Sequence, residues 1–223
     1  MKPLPWSPTS LDDFVNCPRA FHAKRVEKRF QEEQSEQMIW GTYVHKAFEL
    51  RQAEGKPLPQ ELEHHEAFML RLALIPGQQW TERQVGLSKK GQPCGFFDKE
   101  NVWFRCVIDF TKVDDKKAMV VDYKTGKPHT KFKQLKLNAL HIFAEFPSVE
   151  EIEVKYYWTK TETTTGERYT RDQIGSLWND FTPDLKQYAS AFKNDIWQPR
   201  QSGLCNGWCP VTDCEFWKPK RVK

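Results

Sequence analysis

The 223 residues carry 34 Lys and Arg against 30 Asp and Glu, a net charge of +4, with 39% hydrophobic and 13% aromatic residues. A mean hydropathy of −0.74, with no run of about 18 apolar residues, excludes a protein built on membrane-spanning helices. Apolar residues recurring along the whole length exclude disorder. The small positive excess permits a polyanionic partner without requiring one, and the first residues show no export signal, so a soluble, cytoplasmic chain is expected.

Thr9 or Ser10 is placed to cap a first helix, in which Leu11, Phe14, Val15 and Phe21 recur at helical spacing behind Asp12 and Asp13. Pro18 interrupts that helix near Cys17. A second helix is predicted over 36–53, carrying Met38, Trp40, Val44, His45 and Phe48, and a third over 60–74, after the punctuation of Gly55 to Pro59. The period then shortens. Residues 80–87, 96–97, 102–110 and 119–123 read as strands, with the charged stretch 114–117 as the turn between the last two. Helix returns over 131–146, with Phe132, Leu135, Ala139, Ile142 and Phe143 on one side. Ile152, Val154, Tyr156 and Trp158 alternate with Glu153, Lys155 and Tyr157, as in a strand with one wet face. Ile174, Leu177, Trp178, Phe181, Leu185, Tyr188 and Phe192 predict one long amphipathic helix. The order implies a single α/β domain over 1–223, with a small mixed sheet flanked by helices.

The segment Asp122-Tyr123-Lys124-Thr125-Gly126 ends the strand that begins near Met119. Side chains alternate along a strand, so Asp122 and Lys124 share a face and Tyr123 points away. A carboxylate that binds a divalent cation, beside a lysine that orients an attacking water, is half of a hydrolytic site. Asp109 on the neighbouring strand offers a second carboxylate. Oxygen ligands of this kind suit Mg²⁺ or Mn²⁺. By itself, D-x-K is also what a surface ion pair at a strand end looks like.

In chain order the sequence reads Gly41-x-x-x-His45, Ile108-Asp109, Asp122-Tyr123-Lys124-Thr125-Gly126, then Gln134. With the opening Ser7-Pro8-Thr9-Ser10-Leu11 to Cys17-Pro18-Arg19, this resembles the RecB-like branch of the PD-(D/E)XK nuclease superfamily. The resemblance implies that His45, Asp109, Asp122 and the Tyr123 carbonyl hold the Mg²⁺ or Mn²⁺. It makes Lys124 the catalytic lysine and Gln134 the residue orienting it or the DNA phosphate. That branch usually places a tyrosine four residues after the glutamine; here Asn138 stands there. Glu49, one turn beyond His45, reads as an outer partner or a plain helix glutamate, and Glu82 as a further acidic group near the metal.

Three of the six cysteines, Cys205, Cys209 and Cys214, crowd the C-terminal end, and Cys17 stands in the first helix. In the iron–sulfur members of this branch, one N-terminal and three C-terminal cysteines hold a [4Fe-4S] cluster. The resemblance therefore implies that 7–30 and 193–217 form one cysteine-held subregion, with Trp208 and Trp217 covering it. The spacing C-x₃-C-x₄-C shifts the middle cysteine by one residue from the usual pattern. Zinc on four thiolates, or four free thiols, fits the same residues. Cys106 lies in an apolar run and reads as core.

Lys131 and Lys133 stand where a phosphate track would enter the site, and the tail 218–223 is basic; solvated charge explains either stretch equally well. The expected activity is a metal-dependent DNA exonuclease of phage or mobile-element DNA processing, with a recombination or replication protein as possible partner. A catalytically inactive or partner-dependent DNA-binding subunit with a structural metal cluster is the alternative.

Overall fold

The computed structural model describes residues 1–30 and 34–220. Along the chain run α1 (Pro8–Asn16), α2 (Pro18–Phe21), α3 (Glu36–Glu54), α4 (Glu66–Ala73), β1 (Gln78–Ser88), β2 (Pro93–Cys94), β3 (Val102–Asp114) and β4 (Lys117–Lys124). They are followed by α5 (Lys133–Glu145), β5 (Glu151–Trp158), β6 (Thr163–Thr170), α6 (Ile174–Asn179) and α7 (Thr182–Asn194). The residues form two compact units, Gln34–Trp178 and the pair of segments Met1–Glu33 with Asn179–Lys223. No helix among the described residues is long and apolar enough to cross a membrane.

The larger unit is a six-stranded mixed sheet in the order β2-β1-β3-β4-β5-β6. All neighbours are antiparallel except β4 and β5. That parallel pair needs a crossover, and α5 supplies it. Register decides which residues face which layer. Ala118, Val120, Asp122 and Lys124 lie opposite Ile152, Val154, Tyr156 and Trp158, so these eight side chains share one face of the sheet. The other face takes Val121, Tyr123 and Tyr157 into a core with Val44, Phe48, Leu62, Met69 and Leu72 from α3, α4 and the turn before α4. Gly55, in the left-handed conformation, ends α3. Arg171 closes α5 by donating to the carbonyls of Phe143, Phe146 and Val149 at 3.0, 2.6 and 2.7 Å.

The smaller unit packs α1, α2 and α7 around Leu11, Phe14, Phe21, Tyr188 and Phe192, all nearly inaccessible to solvent. Its aromatic rings meet edge to face, with Phe14 5.1 Å from Tyr188 and Phe21 6.3 Å from Phe192.

Several elements differ from the sequence expectation, each for a local reason. Ser7, not Thr9 or Ser10, caps α1: its hydroxyl accepts from the Ser10 amide at 3.2 Å while Ser10 returns the bond at 2.7 Å. Pro8 occupies the first turn, where its missing N–H costs nothing. The 60–74 helix is half 3₁₀, over Gln60–His65, before α4 begins. Phe96 and Phe97 lie in a turn, and the short strand before them is Pro93–Cys94. The long helix of 174–192 is broken into α6 and α7, the second starting over Thr182-Pro183. Strand β6 was not foreseen, because an edge strand reading TTTGERYT buries little and shows no apolar alternation.

Candidate metal centre

Pairing of β3 with β4 runs from Asp114 opposite Lys117 to Phe110 opposite Val121 and stops there. Just past that point the Asp109 carboxylate takes over a backbone role, accepting from the Tyr123 amide at 2.7 Å. Its neighbour on the other side, β1, pairs Thr81 with Phe110 and Arg83 with Ile108, leaving Glu82 opposite Asp109. Glu82 has φ +45°, inside a strand. A glutamate in the left-handed region stores strain that the surrounding ladder must impose, a pattern that concentrates at functional sites. The third participant comes from α3. His45 Nδ1 lies 3.5 Å from Glu82 and 3.4 Å from Asp109, and its Nε2 donates to the Tyr123 carbonyl at 3.0 Å.

Among the described residues, one ligand atom each from His45, Glu82 and Asp109 fall within 4.8 Å of one another. Both ring nitrogens of His45 face oxygen acceptors, which requires a proton on each. Burial works to lower its pKa, but its hydrogen bonding to the Asp109 and Glu82 carboxylates overcomes this and pushes it up to about 10. The single positive charge of the imidazolium offsets part of the charge of the two carboxylates, and a divalent cation bound there would displace its Nδ1 proton. The Glu82 oxygen that faces His45 Nδ1 at 3.5 Å is buried from solvent. Two carboxylates with one imidazole suit Mg²⁺ or Mn²⁺ better than a soft metal. A cavity of about 370 Å³, lined by Gly41, Thr42, His45, Lys46, Glu49 and Glu82, gives access. Within it Glu49 pairs with Lys46 at 2.7 Å.

Asp122 and Lys124 do share a face. Lys124 Nζ lies 2.5 Å from the Asp122 carboxylate and donates to Gln134 Oε1 at 2.8 Å, while the Gln134 amide donates back to Asp122. Asp122 is 1% exposed. Burial first, and then the Asp109 charge, raise its pKa, against the pull of Lys124 and His45. The structure therefore gathers His45, Asp109, Asp122, Tyr123, Lys124 and Gln134 at one end of β3 and β4, and places Glu82, the further acidic group expected on the first strand, beside His45 and Asp109. The Tyr123 carbonyl is engaged by His45. Asn138 is fully buried, accepting from the Cys106 thiol at 3.7 Å, so the position where the branch carries a tyrosine is internal here. Lys131 and Lys133 are exposed, just ahead of Gln134.

In the smaller unit Cys17, Cys205, Cys209 and Cys214 line one pocket with Arg19, Ala20, Arg200, Val211 and Trp217. All four are free thiols. Backbone amides of Arg200 and Ser202 point at Cys17 and Cys205 sulfurs, each at 3.4 Å. Burial raises the Cys209 thiol pKa, and the other three cysteines add to it. Trp217 donates to the Cys209 carbonyl at 3.0 Å, whereas Trp208 is 68% exposed and stacks under Lys220, so it does not cover the pocket. Of the basic tail, residues 221–223 lie outside those described.

The sequence profile of the PD-(D/E)XK nuclease superfamily matches residues 5–214. No curated protein matches the chain. Among solved structures, the chain is similar to a proposed exonuclease from Eubacterium rectale, with a TM-score of 0.55 and 13% identity over 92% of this chain and 86% of that one. It also aligns with the structure of SSO0001 at a TM-score of 0.48 and 15% identity, over 94% and 85% of the two chains. At such identity the first likeness is one of fold.

Proposed function

Given that the chain belongs to the PD-(D/E)XK nuclease superfamily, we propose that it is a divalent-metal-dependent deoxyribonuclease of the RecB-like branch, acting on DNA from its ends. The observation that carries this is the adjacency of a His45–Glu82–Asp109 group to the Asp122–Lys124–Gln134 network. His45, Glu82, Asp109 and Asp122 would hold Mg²⁺ or Mn²⁺, with the Tyr123 carbonyl beside them. The bound cation supplies Lewis-acid stabilisation of charge on the phosphate.

The chain's own residues do the rest. Asp109 fixes the strand end by holding the Tyr123 amide, which keeps the carboxylates in register. Lys124 offers an ammonium donor that orients the attacking water and compensates negative charge as the phosphorane forms. Gln134 bridges Asp122 and Lys124, so neither can rotate away. Lys131 and Lys133 are suited to receive phosphates of the approaching strand. The four-cysteine pocket would hold a [4Fe-4S] cluster, with zinc as the other candidate. Backbone amides aimed at the Cys17 and Cys205 sulfurs are outer contacts that the thiolates of either metal would take. We read the two units as parts of one nuclease domain, since the family profile spans both. Processing of phage or mobile-element DNA inside a cell suits such an enzyme.

The test is digestion of end-labelled linear DNA against closed circles, with Mg²⁺ or Mn²⁺, for the native chain and Lys124→Ala. Shortening of linear DNA only, reduced about 10²–10³-fold in the variant at unchanged melting temperature, is expected. Cutting of circles would make it an endonuclease. No hydrolysis with any metal would overturn the enzyme reading in favour of a DNA-binding subunit.

A further inference from the structure

Along β5 the side chains that share the Asp122 face are Ile152, Val154, Tyr156 and Trp158. The change from β-branched aliphatics to aromatics falls where the strand passes Asp122 and Lys124, which pair with Tyr156 and Trp158. Lys124 Nζ sits over the Tyr156 ring, 5.2 Å from its centre. That is within range of a cation–π attraction, which strengthens as the pair is desolvated. Tyr156 is 2% exposed, and its ring is pinned on three sides. Phe132 lies nearly parallel at 6.0 Å, the His129 ring meets it edge-on at 5.5 Å, and Trp158 is tilted at 5.3 Å.

We propose that Tyr156 is a positioning residue: its ring face, together with Asp122 and Gln134, forms the socket that aims the Lys124 ammonium. The proposal rests on the nuclease reading above and extends it to a residue outside the motifs that carry that reading. A lysine has a flexible four-carbon stem, and two hydrogen-bond partners leave it several ways to swing. A second carboxylate would fix it, but would also add negative charge where a phosphate must approach. An aromatic face attracts the ammonium through its quadrupole and adds no net charge. A leucine at 156 would keep an apolar side chain at this buried position without that attraction, at the cost of some packing volume. His129 and Phe132 belong to the segment joining β4 to α5, so the ring also ties that segment's packing to the lysine.

The test compares Tyr156→Phe and Tyr156→Leu in steady-state digestion of linear DNA with Mg²⁺, with Tyr156→Met as a flexible filler should the leucine variant fail to fold. The phenylalanine variant is expected within about twofold of the native enzyme. The leucine or methionine variant should lose roughly tenfold in kcat with KM unchanged, and adding it to Lys124→Ala should cost nothing further. A second readout does not depend on hydrolysis. Carbon-13 NMR of the lysine ε-methylenes, with Lys124 assigned from Lys124→Ala, should show a ring-current shift in the native and phenylalanine proteins that the leucine variant loses. Equal loss in the phenylalanine and leucine variants, additive loss on Lys124→Ala, or no ring-current shift in the native protein would overturn the proposal. A native protein that shows the shift but cuts no DNA would overturn the nuclease reading and leave the socket standing.

Discussion

The two candidate metal sites are built in opposite ways. At the end of β3 and β4, two carboxylates are almost wholly buried, Asp109 at 7% exposure and Asp122 at 1%, and each already has a positive partner. His45 and Lys124 balance the charge, backbone ladders fix the spacing, and a strained Glu82 is held in place by its strand. The cysteine pocket has none of this scaffolding. Its three C-terminal thiols sit on irregular chain held by scattered turn bonds, such as Lys218 to the Cys205 carbonyl at 2.8 Å, and all four are only half-buried. The first site is preorganised by the sheet before any ion arrives. The second would take its order from the metal proposed for it, because thiols in a loop gain little by converging on their own.

Removing a thiolate should therefore cost far more structure than removing a carboxylate. In Cys209→Ser, residues 193–217 should become protease-sensitive and an absorbance band at about 400 nm in anaerobically purified protein should vanish, since such sites couple binding free energy on the order of 10 kcal/mol to local order. Calorimetric Mg²⁺ binding should persist in that variant. Its loss would break the contrast between a preorganised and a ligand-ordered site.

The second way to sharpen it is pH. His141 in α5 is 2% exposed, and burial first, then the Arg83 charge, hold its pKa down at about 4 from 6.5. The unfolded chain binds a proton there that the fold refuses. Stability from this residue is thus complete above pH 6.5 and is lost as pH falls towards 4, by up to about 3 kcal/mol. Thermal melts at pH 7 and pH 4.5 should show that loss, about half of it relieved in His141→Gln, since burial holds the His65 pKa down at about 4 in the same way. A native protein equally stable at both would mean the sheet is not the rigid scaffold described.

The smallest expected effect is the most specific. Glu82→Gln keeps the shape and the backbone strain but removes a charge, and should weaken Mg²⁺ binding by about tenfold while leaving the melting temperature within about 2 °C. Unchanged affinity would place Glu82 outside the metal's reach.

Much of the candidate metal centre was legible because strand alternation is a strict rule: it puts Asp122 and Lys124 on one face and Tyr123 on the other. The same rule was blind to β6, whose residues are largely exposed, and the helical period overran the break between α6 and α7 because apolar spacing continues across it. On α5 the apolar residues were found, but Asn138 and His141 are buried too, which only the layers on either side of that helix decide.

What the amino-acid sequence determined by itself was the set of chemical groups and the local geometry that orders them: the D-x-K face, the helix bearing His45, the helix between the D-x-K strand and the next one, and four cysteines near the two ends. Tertiary structure alone decided which groups meet. Glu82 joined His45 and Asp109 because β1 lies beside β3 with that residue forced to a positive φ. Tyr156 came under Lys124 because β4 and β5 pair in a register that no local signal encodes. Local rules fix the direction of a side chain relative to its own backbone. The neighbour it meets depends on contacts between residues far apart in the chain, whose pairing is chosen by the packing of the whole sheet.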